Sequence, residues 1–291
     1  MKSFKYSINT NALKKEMEPK ETVALAVECK LDGIEWGIRS MANAANEMKE
    51  MAQRTKDAGL EIVSWLIGGK PWKKDDLKKR VELVASVGGK SMRVDHPWVA
   101  WNLEESLHQE KSFNEIFKLA KDAMPFLIDM SRQSGIRFLF ETHSGALLAS
   151  SLAVKMLFEG VSPEHVGVIY DPANTTVEGN LRPRSEVEVL GKYIAYVHAK
   201  SIAFFFDGTV SREPLKRITW SYKTVSPDAG ALDWVEVFFA LKNGGFTGFI
   251  SSEEYFSPKN LNAIKEGVAF LKECEKLSPE KPCQPFTKFN E

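Results

Sequence analysis

The sequence predicts an α/β fold, a single (β/α)8 TIM barrel, and three observations carry that reading. Short apolar runs alternate with amphipathic runs along the whole chain. Eight strand-then-helix units can be laid out in order, which a closed parallel barrel accommodates most economically. The length of 291 residues, 43% of them hydrophobic, supplies a large core and matches one barrel.

The strand candidates are Phe4–Ile8, Gly33–Trp36, Glu61–Ile67, Ser91–Val94, Arg137–Phe140, Val166–Tyr170, Tyr193–Val197 and Thr247–Ser251. All are short and rich in β-branched and aromatic residues. Apolar residues recur at helical spacing in Met17–Leu31, Ala45–Leu60, Asp75–Val87, Phe113–Ser134, Ser151–Gly160, Ser185–Gly191, Leu232–Asn243 and Lys259–Leu277. Several of these helices run into glycine before the next strand, as in DAGLEIV, SVGGKSM, QSGIRF and NGGFTGF, the expected helix stop. A doubly wound open sheet is the alternative, but such sheets often carry a phosphate-binding glycine turn after their first strand. Here that turn reads SINTNALKK, and no GxGxxG or GxxxxGK[ST] occurs, which argues against nucleotide use.

One domain spanning 1–291 is expected, with a barrel core over about 4–275 and a C-terminal extension over 278–291. The longest irregular stretch is Ser201–Ala231, after strand seven. Its aromatic start, AFFFDGTV, and charged middle, SREPLKR, suggest an ordered flap or the contact of a homo-oligomer.

Lys+Arg and Asp+Glu both number 39, so the formal net charge is zero and the basic excess of a nucleic-acid binder is missing. The basic run Lys70–Arg80 is interrupted by Asp75 and Asp76 and reads as a solvated helix start. Cys29, Cys274 and Cys283 show no CxxC spacing, which indicates neither a disulfide framework nor a thiolate metal site. The start MKSFKYSINT lacks the apolar segment of a signal peptide, and no window approaches 18 consecutive apolar residues. The expectation is a soluble cytoplasmic protein with neither membrane nor nucleic acid as partner.

Barrel chemistry sits where strands end. Strand five, RFLFETHSG, ends at Glu141, with His143 two residues on. Strand six, VGVIYDPANT, ends at Asp171, followed by Asn174, and strand seven, YIAYVHAKS, ends at His198, followed by Lys200. Strand eight, FTGFISSEEYF, ends at Glu253–Glu254, of which Glu253 is preferred as the inward residue because neighbours face opposite ways. Three carboxylates converging on a small opening repel one another, and a bound cation removes that penalty. Three oxygen ligands and one imidazole suit Mn²⁺ or Mg²⁺, with Zn²⁺ a further candidate.

These endings resemble the xylose isomerase-like superfamily of sugar isomerases and epimerases, whose fold is shared by endonuclease IV. The matching pieces are E-x-H in ETHSG, D-P-x-N in YDPANT, H-x-K in VHAKS and the GFISSE of strand eight. PDAGALDW and LDGIEWG are similar to two further family segments. The resemblance implies metal ligands Glu141, Asp171, His198 and Glu253, with Glu141 and Glu253 also acting as paired acid/base groups. It implies substrate contacts from His143 and Lys200, and a pocket lined by Glu35, Trp36, Trp65 and His96. Two positions depart from the family. Asn174 stands where His is frequent; it can hydrogen-bond substrate but is a poor ligand for a second metal. Ser201 replaces a common Asp. A three-zinc nuclease site needs more histidines than this rim provides, which sets DNA repair aside.

The expected function is a metal-dependent isomerase or epimerase of a small sugar or sugar derivative, working by proton abstraction next to a carbonyl. A dehydratase of inosose or dehydroshikimate type, and a non-catalytic sugar-binding barrel, are the alternatives.

Overall fold

The computed structural model describes residues 3–13, 17–38, 40–100, 106, 108–179, 181–212, 215–253 and 261–280. Its centre is a closed barrel of eight strands: β1 (Lys5–Asn9), β2 (Gly33–Gly37), β3 (Glu61–Leu66), β4 (Ser91–Arg93), β5 (Arg137–Glu141), β6 (Val166–Tyr170), β7 (Ile194–Ala199) and β10 (Phe249–Ser252). They pair in parallel in that order, and β10 closes the ring against β1, with Ser7 opposite Ser251.

Period-two alternation sorts the side chains. Phe138 and Phe140 of β5, Val168 and Tyr170 of β6 and Val197 and Ala199 of β7 point outward into the main core. The helices covering that layer include α1 (Pro19–Glu28), α2 (Ala44–Asp57), α3 (Lys74–Ser86), α4 (Phe113–Ser134) and α5 (Ser151–Leu157). Inside the barrel, Leu66, Leu139, Ile169 and Tyr196 form a separate apolar cluster. Two residues further along three of the same strands stand Glu141, Asp171 and His198. The apolar plug therefore floors a charged layer at the C-terminal mouth.

Local chemistry sets the helix ends. Ser112 and Glu115 form a reciprocal capping box at the start of α4, with Ser112 N–H donating to Glu115 Oε2 at 2.7 Å. The same helix stops at Gly135, whose φ of 71° is open to glycine at no steric cost. Asp171 starts a short helix that the sequence reading did not anticipate, α6 (Pro172–Val177), by accepting the Asn174 N–H at 2.9 Å. The next helix, α7 (Pro183–Leu190), begins at a proline two residues before the expected start.

The stretch after β7 differs most from expectation. It is not irregular: β8 (Ser201–Arg212) and β9 (Leu215–Val225) form an antiparallel ribbon outside the barrel. Three consecutive phenylalanines hid it, because a ribbon lying outside the core has no buried face to impose apolar–polar alternation. Helices α8 (Trp234–Asn243) and α9 (Leu261–Leu277) complete the order. The expected start of the last helix at Lys259 and the tail beyond Glu280 lie outside the described residues. Among the described residues no helix is long and apolar enough to cross a membrane.

Behind β6 lies a buried carboxylate, Glu186 of α7. Its Oε2 accepts from Tyr170 Oη at 2.6 Å and Thr175 Oγ1 at 3.2 Å, while Oε1 has no hydrogen-bond partner. Burial pushes its pKa up to about 7, against the two hydroxyl donors that lower it. The folded chain thus holds this proton more tightly than the unfolded chain, so stability falls as pH rises from the ordinary carboxylate range through about 7. The loss is at most about 3 kcal/mol. Glu186→Gln is expected to melt higher than the parent at pH 8 and alongside it at pH 5, measured by thermal denaturation at both pH values.

Candidate active site

The mouth of the barrel is built around His198. Its Nδ1 lies 3.0 Å from Glu141 Oε1, 3.4 Å from Glu253 Oε2 and 3.9 Å from Asp171 Oδ2. One donor atom from each of Glu141, Asp171, His198 and Glu253 lies within 4.8 Å of the others, and all four residues are buried. The strand ends read from the sequence are therefore brought together. Glu254 lies outside the described residues.

Fixed cations and amides hold the carboxylates. Arg93 of β4 donates Nη1 to Glu141 Oε2 at 2.6 Å. Lys200 Nζ bridges Asp171 Oδ2 and Glu253 Oε2. Asn9 of β1 donates to Glu253 Oε1 at 2.8 Å. Burial alone would raise the pKa of Glu141, but His198 and Arg93 hold it well below the usual carboxylate range. Burial likewise works against His198⁺, yet Glu253, Glu35 and Glu141 keep the imidazole protonated far above its ordinary range. Lys200 is held charged against burial by Asp171 and Glu253.

Glu35 is placed differently from its expected role. It is fully buried beneath His198, with Oε1 and Oε2 each 3.1 Å from Nε2. Tyr196 Oη donates to Glu35 Oε1, and Ser251 Oγ donates to its Oε2 at 2.9 Å. A carboxylate so placed can orient the imidazole of His198.

Trp36 and Trp65 do not line the pocket. Neighbouring strand residues face opposite ways, so Glu35 turning inward sends Trp36 outward, where its Nε1 donates to Thr55 of α2 at 2.9 Å. Trp65 is likewise buried in the outer core. Asn174 donates Nδ2 to Asp171 Oδ2 at 2.8 Å and to Thr142 O at 3.2 Å, which orients the aspartate. Lys200, expected to hold substrate oxygens, is ion-paired inside the cluster.

His96 and His143 do meet, with ring centroids 5.9 Å apart, and Trp98 packs edge-on against both. His143 Nδ1 lies 2.9 Å from Ser144 O. Neither ring nitrogen of buried His96 has a hydrogen-bond partner, and burial holds its pKa down to about 3. His96 is thus a neutral imidazole beside the charged mouth.

The sequence reading missed Asn9, Arg93, Tyr196 and Ser251. Arg93 left one signal, a lone cation between Met92 and Val94 inside an apolar strand. Such a charge is costly unless paired within the barrel.

Three carboxylates and an imidazole, with no thiolate among them, match the donor set of a hard or borderline divalent ion, and these four residues could hold one. Residues 23–274 match the family model described as xylose isomerase-like TIM barrel. The chain belongs to this family.

Its relatives include an inosose dehydratase from Geobacillus thermodenitrificans, 25% identical over 157 residues, or 52% of this chain. That match spans about half of the relative's length, 51%. The 3-keto-D-glucoside 4-epimerase YcjR of E. coli, in its apo form, superimposes with a TM-score of 0.73 at 17% identity, covering 94% of this chain and all of that one. The IolI protein, solved with a zinc atom, gives 0.72 at 17% identity over 96% of this chain and all of that one. At such identities the two structures attest the fold.

If Glu35 sets the orientation of His198, Glu35→Gln should weaken Mn²⁺ binding about 10- to 100-fold in isothermal titration calorimetry while leaving the fold intact. An unchanged affinity would remove Glu35 from that role.

Proposed function

We propose that this protein is a metal-dependent isomerase or epimerase acting on a small sugar or sugar derivative, with Glu141 and Glu253 as its paired acid/base groups. The observation that carries the reading is that two buried carboxylates flank His198, Glu141 paired with Arg93 and Glu253 sharing Lys200 with Asp171. The two carboxylates thus face different cations, which holds each in its own place beside the substrate for a two-base proton transfer.

In this scheme one glutamate removes the proton from the carbon next to the substrate carbonyl. The other, loaded beforehand with a proton from solvent, returns it to the opposite face of that carbon for epimerisation, and the first then releases its own proton to solvent. No atom is lost overall. Arg93 and Asn9 hold the two carboxylates in place through the transfer. His143 and His96, packed together beside the charged mouth, are the candidate contacts for substrate hydroxyls. Glu141, Asp171, His198 and Glu253 would hold the divalent ion, Mn²⁺ or Mg²⁺ before Zn²⁺, which when bound supplies Lewis-acid stabilisation of the charge that develops on the carbonyl oxygen.

The match to an inosose dehydratase favours one second reading. The same proton is removed, but a β-hydroxyl then leaves as water. The two diverge only after the first step.

NMR in D₂O with Mn²⁺ and a panel of ketoses and keto-glycosides separates them. Deuterium entering the carbon beside the carbonyl without loss of water supports the isomerase or epimerase; loss of water supports the dehydratase. Glu141→Gln and Glu253→Gln should each lower turnover about 10²- to 10⁴-fold with little change in melting temperature. Full exchange in both variants would sink the assignment of these glutamates.

A further inference from the structure

The ribbon carries an asymmetry unrelated to the chemistry of the barrel mouth. Its base is seated: Ile202 and Val225 are buried, Ala231 N–H donates to Ile202 O at 2.7 Å, and Leu232 N–H donates to Ser201 Oγ at 3.3 Å. Gly230 is required there, because a Cβ at that position would stand 1.9 Å from Ser201 Oγ. Further out, Phe204, Phe205, Phe206, Trp220 and Tyr222 are exposed.

The register places Phe204 opposite Tyr222 and Phe206 opposite Trp220. Cross-strand partners share a face, as do residues two apart, so all four rings lie on one side of the ribbon. They are 46%, 37%, 58% and 66% exposed in that order. The opposite side carries Phe205 paired with Ser221, and Lys223 Nζ caps the Phe205 ring at 5.3 Å from its centroid. Over these residues one face carries four exposed rings and the other a single ring, 42% exposed and capped by a cation. A two-stranded ribbon on its own is marginal in water, and a bare aromatic face on it calls for a cover.

We infer that this face is a homodimer contact, covered by the same ribbon face of a second copy of the chain. The first argument is area. At roughly 200 Å² per aromatic side chain, the four rings offer about 400 Å², so two copies would bury about 800 Å² from rings alone. Four side chains per copy thus supply about two thirds of the roughly 1,200 Å² at which specific interfaces begin. The second argument is symmetry: a single contiguous patch of like residues can meet itself across a two-fold axis without leaving a free end. The third is charge. With 39 basic and 39 acidic residues the copies carry no net charge and do not repel at long range. Ring geometry disfavours a polysaccharide as occupant. Phe206 and Trp220 meet edge to face, at 67° between planes, and so present interlocking ridges rather than a flat stacking platform.

Sedimentation velocity and light scattering on the full chain at micromolar concentration test this. The parent should run at twice the chain mass. F206A combined with W220A should run at the single-chain mass with unchanged circular dichroism, while F205A, on the capped face, should remain dimeric. A monomeric parent overturns the inference, including one whose Trp fluorescence responds to an oligosaccharide, which would assign the face to carbohydrate. So does a double variant that stays dimeric.

Discussion

Four carboxylates share a dry space with three cations at the mouth of this barrel, and every other feature of the site follows from making that arrangement tolerable. Glu35, Glu141, Asp171 and Glu253 are all buried, and so are His198 and Lys200. An unpaired charge in such a place costs several kcal/mol. Neighbouring strands therefore answer one another's charges at their ends: β4 supplies Arg93 to Glu141, the residue after β7 supplies Lys200 to Asp171 and Glu253, and β1 supplies Asn9 to Glu253. Barrel closure is what places these partners within reach, because β1 and β10, at opposite ends of the sequence, become neighbours.

A floor supports the charged layer as well as walls. Leu139, Ile169 and Tyr196 stand two residues before Glu141, Asp171 and His198 on their strands, which excludes water from below. Tyr196 also passes its hydroxyl to Glu35. The apolar interior and the polar mouth are thus coupled through one side chain. The imidazole is gripped from both ends, by Glu35 at Nε2 and by Glu141 at Nδ1. Its ring cannot rotate without breaking both contacts.

Much of this was legible in the sequence, for a definite reason. Glu141, Asp171, His198 and Glu253 each follow an apolar strand, so counting strands to their ends found them. Period two also explains the errors. Glu35 and Trp36 are adjacent and cannot both face the interior, so the alternation that places Glu35 under His198 sends Trp36 outward. Arg93 and Asn9 were hidden because their partners, Glu141 and Glu253, lie 48 and 244 residues away in the chain. The ribbon is hard to read in the sequence because its exposed rings, Phe204, Phe205 and Phe206, follow one another and break the apolar–polar alternation of a strand. The departure at Ser201 also gained a reason: its hydroxyl accepts the Leu232 N–H and steadies the ribbon's base.

A single residue joins the barrel to the ribbon. β7 ends at Ala199 and β8 starts at Ser201, so Lys200 is the whole connection. Insertions and deletions are therefore not equally tolerable along this segment. One residue added between His198 and Lys200 would reverse the facing of the ammonium and turn it out of the barrel, leaving Asp171 and Glu253 to repel each other. At the far end of the ribbon no such register must be kept. Length variation among chains of this design is thus expected to accumulate at the tip and to spare the junction.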